Sequence, residues 1–87
     1  MDDHIYYNIL GRKIRQARQV KNLTIEKLAE HVEMSTNHIR DIEVGNKRPL
    51  VGTFHKLCEA LHLNAQKVFD QVKKEREEMI NSTSKDG

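Results

Sequence analysis

Residues 24–45 read TIEKLAEHVEMSTNHIRDIEVG, and their spacing decides the fold. Leu28, Ala29 and Val32 recur at helical spacing, and so do Ile39 and Ile42, which predicts two short amphipathic helices. Thr24 and Ser35 are good N-caps for them, and Gly45 is a strong stop signal. The capping box of the first is incomplete, because Lys27 stands where Glu or Gln would reach back. Only His31, Val32, Glu33 and Met34 link the two. A link that short makes the helices cross steeply rather than lie antiparallel, which is the helix-turn-helix arrangement. Ala29 is small at the close approach, and Met34 is placed to plug the turn.

The later of these helices, residues 36–44, gives Ile39 and Ile42 to a core and little else. Thr36, Asn37, His38, Arg40 and Asp41 are all hydrogen-bonding side chains. In a helix-turn-helix the second helix projects, and its first residues enter the DNA major groove. Asn bonds adenine through two hydrogen bonds, Arg does the same to guanine, and Thr touches a thymine methyl or a phosphate. On composition alone, a solvated face and a base-reading face account for these residues equally well.

Outward from this pair, Ile9, Leu10, Ile14 and Ala17 mark a helix from about Asn8 to Val20, closed by Lys21-Asn22. A fourth helix follows Pro49 and spans about Val51 to Leu61, with Val51, Phe54, Leu57, Cys58 and Leu61 expected inside. A fifth opens at Asn64 and turns Val68, Phe69 and Val72 inward. It is able to continue through KKEREEMI (residues 73–80), where Met79 and Ile80 extend the stripe and Lys73–Glu77 and Lys74–Glu78 are i,i+4 neighbours. The fold class is all-α, with five helices. The organisation that follows is a flexible N-terminus at 1–7, a helix-turn-helix domain at 8–72, a helical extension at 73–81 and a disordered tail at 82–87.

Eighty-seven residues suffice for one domain with one core. With 32% charged residues, four aromatics and no Trp, the composition suits a soluble helical domain with an aliphatic core, and does not suit a sandwich or a membrane protein. The one cysteine, Cys58, rules out an internal disulfide, and MDDHIYY lacks the basic-then-apolar layout of a signal peptide. No apolar run is long enough to cross a bilayer, so a cytoplasmic protein without membrane contact is expected. The net charge of +2 decides little, but its distribution is uneven. Arg12, Lys13, Arg15, Arg18 and Lys21 fall between Gly11 and Leu23 with no acid among them, and Asn46-Lys47-Arg48 adds a second basic point. Positive charge near a polar helix hints at a polyanion.

The run from Leu10 to Phe69 resembles the lambda-repressor-like, Cro-type (XRE) family of helix-turn-helix DNA-binding domains. The agreeing pieces are Ile14-Arg15 and Arg18, then LTIEKLAEHV, IRDIEVG, the Arg48-Pro49 pair and LCEAL, in that order and spacing. The resemblance implies double-stranded DNA as partner, with Thr36, Asn37 and Arg40 at base-contacting positions and His38 beside them. It places Thr24 and Lys27, and then Asn46, Lys47 and Arg48, where the family grips phosphates, aided by backbone N–H groups at the helix start. Arg18 and Glu43 match a structural ion pair that ties the first helix to the end of the reading helix. Two departures stand out. Ile25 replaces a Gln that commonly caps the phosphate grip, and Glu33 occupies a turn position where Gly is common, with positive φ expected at a cost of about 1 kcal/mol.

Family members usually bind as two-fold dimers on half-sites roughly 34 Å apart. Val68, Phe69, Val72, Met79 and Ile80 form a stripe longer than one small chain needs to bury, and are the expected dimerisation surface. The sum is a transcriptional regulator, a repressor that binds an inverted-repeat operator as a homodimer. Two other readings fit the fold: the antitoxin of a toxin–antitoxin pair, and a module that binds a protein partner. His55, Cys58 and His62 at i, i+3 and i+7 suggest a metal on one face, but with no second cysteine or zinc-type spacing no metal is expected. No catalytic triad pattern or Gly-rich phosphate loop occurs, so neither an enzyme nor a cofactor is expected.

Overall fold

A computed structural model describes residues 3–84. They form α1 (His4–Val20), α2 (Ile25–Val32), α3 (Thr36–Glu43), α4 (Val51–Leu61) and α5 (Ala65–Ser84), with no strand among the described residues. Five helices and a helix-turn-helix at α2–α3 are therefore what the sequence folds into. Each of the five gives a narrow apolar stripe to one core: Ile9, Leu10 and Ile14; Leu28 and Val32; Ile39 and Ile42; Phe54, Leu57 and Leu61; Val68 and Val72. Cys58 is buried among them as a small apolar filler, and burial pushes its thiol pKa up.

α1 supports the domain from both sides. It packs on α3 so tightly that a Cβ on Gly11 would stand 2.6 Å from the Glu43 carbonyl oxygen and meet the Ile42 carbonyl as well, which only glycine avoids. On its other flank α5 is held by Lys13 and Arg12, both paired with Glu75, the latter at 3.9 Å.

Four helices end alike. Leu23 N–H donates to the Arg18 carbonyl, Met34 to Ala29, Asn46 to Asp41 and Leu63 to Cys58, at 2.8–3.1 Å, each reaching back five residues. The residue before each donor, Asn22, Glu33, Gly45 or His62, has φ between 55° and 83°. This is the left-handed helix stop whose following residue usually packs on the last turn, and Leu23, Met34 and Leu63 do lie against the core.

The structure departs from the sequence reading at four places. α1 starts at His4, not near Asn8, because Tyr6 and Tyr7 pack on the core and Asp3 meets Arg76 of α5 at 2.9 Å; the flexible segment is not observed from residue 3 on, and residues 1–2 lie outside the description. Val51 is 88% exposed, since it opens α4 one turn before Phe54. Phe69 is half out of the core and stacks on Phe54 with ring centroids 5.1 Å apart. α5 runs on to Ser84, so the tail expected from residue 82 is helical there, and residues 85–87 lie outside the description.

Candidate nucleic-acid interface

α3 is fixed along one edge and open along the other. Ile39 and Ile42 are fully buried, and Ser35 Oγ accepts the His38 N–H at 3.1 Å to start the helix. At its end Glu43 lies against α1, where Arg18 donates to it through Nε (2.7 Å) and Nη2 (3.1 Å), while Arg18 Nη1 reaches the Leu23 carbonyl at 2.7 Å. Both side chains are almost wholly out of water. A fork-to-carboxylate bond of this kind locks the direction of α3 as well as its position.

Thr36, Asn37 and Arg40 share the open edge. Asn37 and Arg40 are exposed, and Thr36 and His38 half-buried. Arg40 Nη1 donates to Asn37 Oδ1 at 2.9 Å, so the two side chains are turned toward each other. That bond uses one of the guanidinium donors and leaves the flat fork available for a base edge or a phosphate.

The candidate phosphate groups lie at two places around this edge. Thr24 caps α2, with Oγ1 accepting the Lys27 N–H at 3.0 Å, and the Lys27 side chain is exposed. The unpaired backbone N–H groups at the start of α2 make that end partly positive. After α3, Gly45 turns the chain, Asn46 and Lys47 both donate backbone N–H groups to the Asp41 carbonyl, and Lys47 Nζ stands 3.9 Å from the Asp41 carboxylate. Arg48 lies over the Tyr7 ring at 4.9 Å, a cation–π contact that holds the loop against α1. Tyr7 was not a candidate in the sequence, since it fell in the part of α1 read as flexible.

Arg15 was also passed over, although it lies in the basic run. It lines a cleft with Arg18, Ile25, Arg40, Glu43 and Val44, which sets α1 and the start of α2 beside the open edge of α3. Ile25, in the place of the family's Gln, packs its side chain against the core. Glu33 has the positive φ expected of it, at 57°.

The remaining candidates part company. Val68 and Val72, at 4% and 0% exposure, are used up inside the single chain and are withdrawn from the dimerisation surface, because the α5 stripe first has to cover α1 and the core. Phe69, Met79 and Ile80 keep exposed apolar surface. Of the three possible metal ligands, Cys58 is buried in the core, His55 meets Glu59 at 3.0 Å, and His62 Nδ1 accepts from Lys21 Nζ at 2.8 Å. No cluster of three such side chains occurs among the described residues.

Comparison with known proteins agrees with this geometry. Residues 11–74 match the helix-turn-helix domain family. No curated protein matches the chain by sequence. Among solved structures, that of the clp gene regulator ClgR from Corynebacterium glutamicum superposes with a TM-score of 0.80 at 22% identity, covering 91% of this chain and 84% of that one. A second ClgR structure gives 0.73 at 25% identity, over 79% and 88% of the two chains. The restriction-modification controller protein C.AhdI from Aeromonas hydrophila gives 0.68 at 22% identity, over 71% of this chain and 94% of its own. Identities this low speak for the fold, and the family assignment rests on the matched span. The chain belongs to the helix-turn-helix domain family, in its lambda-repressor-like, Cro-type form.

Proposed function

We propose that this protein is a repressor that reads an inverted-repeat operator, each subunit of a homodimer placing α3 in the major groove of one half-site. The observation that carries this reading is the division of α3: Ile39, Ile42 and Glu43 anchor one edge, and Asn37 and Arg40 are bonded to each other on the other. Thr36, Asn37 and Arg40 are the base readers, with His38 at their flank. Thr24, Lys27, Asn46, Lys47 and Arg48 hold the sugar–phosphate backbone and set the register. Phe69, Met79 and Ile80 supply the contact between subunits.

The test is binding to the DNA upstream of its own coding sequence against a scrambled duplex, at two salt concentrations, with wild type beside Arg40→Ala. Wild type should prefer the upstream duplex, and Arg40→Ala should lose about 1–3 kcal/mol of that preference. Weak binding that is equal on both duplexes and steeply salt-dependent would reduce the reading to a generic basic surface.

A further inference from the structure

The geometry points to a backbone-phosphate site at Arg15, in the cleft where α1, the start of α2 and α3 meet; this rests on the DNA-reading function proposed above. Its position follows from α1. Gly11, Arg15 and Arg18 fall at i, i+4 and i+7 and so share one face of the helix. Gly11 touches the backbone of α3 and Arg18 bonds Glu43, which brings the side chain between them to α3 as well. Arg15 accordingly lines the same cleft of about 210 Å³ as Arg40.

The charges of that cleft do not cancel. Glu43 is its only acid, and Arg18 already binds both of its carboxylate oxygens. Arg40 bonds only the neutral amide of Asn37. Arg15 is exposed and has no hydrogen bond or ion pair among the described residues. Two arginines therefore line one small cleft with no carboxylate left to pair them among its lining residues. Each carries a planar fork that suits phosphate oxygens, and an anion seated there removes their mutual repulsion. Because the cleft opens beside the reading edge of α3, the anion that arrives with a docked duplex is a phosphodiester. The placement also answers the departure at Ile25. Where the family's Gln would cap a phosphate, this chain has an apolar side chain and an arginine from α1 lining the same cleft.

The experiment compares full-length wild type, Arg15→Gln and Arg12→Gln on the upstream duplex and on the scrambled one, over a range of salt. Arg12 leans on Glu75 of α5, away from the cleft, and removes the same charge. Thermal melts check that each variant is folded. Arg15→Gln should weaken binding equally on both duplexes and lower the slope of log K against log salt by about 1, and Arg12→Gln should leave the slope in place. An unchanged slope for Arg15→Gln, with wild type still preferring its upstream duplex, would overturn the site and leave the function standing. A loss confined to the upstream duplex would make Arg15 a base reader and also overturn it. Wild type that binds neither duplex would remove the function and the site together.

Discussion

Arg18 illustrates how one side chain can tie three elements together. Its three bonds, two to Glu43 and one to the Leu23 carbonyl, close the gap between the end of α1, the start of α2 and the end of α3. Removing one partner leaves the other charged and out of water, which costs about 3–5 kcal/mol, whereas removing both charges together is far less harmful. Arg18→Ala and Glu43→Gln should each lower stability by about that amount in urea titration, and Arg18→Met with Glu43→Leu by much less than the sum. Additive losses would mean that the two side chains act separately. Alternation of charge and apolarity said nothing of this bond, because the partners are 25 residues apart; only the family resemblance paired them. Arg15 shows the opposite case. Its charge was plain in the sequence, but its neighbours depend on how closely Gly11 lets α1 approach α3.

At the scale of the helix, the stops carry a cost that the sequence partly disclosed. Asn22 and Gly45 suit left-handed backbone, while Glu33 and His62 adopt it at φ of 57° and 55° with a Cβ present. Glu33→Gly should therefore raise stability by about 0.5–1 kcal/mol, after allowing for the looser unfolded chain, and lift the melting temperature by a few degrees. His62→Gly should gain less, since it also gives up the bond to Lys21. A lower melting temperature for Glu33→Gly would show that its side chain holds the turn by a contact more valuable than the strain. Caps and stops were legible because they are local: Thr24, Ser35 and Asn64 each accept the N–H three residues on, as expected of their residue types. The left-handed His62 was not legible, since its spacing to His55 and Cys58 drew attention to its ring instead of its backbone. The early start of α1 was missed for a related reason. The turn at His4–Tyr7 is stabilised by Arg76, seventy residues further along the chain, and by packing that no local pattern encodes.

The whole molecule is elongated, 46 × 22 × 22 Å, and α5 alone accounts for about 30 Å of helix. Its apolar stripe divides between two tasks. Val68 and Val72 complete the core of the single chain, so two of the five residues read as one dimerisation surface are used before a second chain arrives. What is left for the proposed subunit contact is Phe69 and, three turns on, Met79 and Ile80, which retain exposed apolar area on a helix otherwise rich in charge. Two-fold pairing there would be isologous, each α5 lying on its partner, and would fix the distance between the two α3 helices as a half-site spacing requires. Ile80→Glu lies beyond the core, so it should leave the melting temperature within about a degree or two while moving the sedimenting species toward monomer. It should also weaken binding to an inverted repeat far more than to a single half-site, because the second subunit would no longer arrive with the first. Sedimentation identical to wild type would place the subunit contact elsewhere. Another apolar exposure joins the neighbours Leu50 and Val51 at the start of α4, and Val51→Glu would then be the variant that separates the subunits.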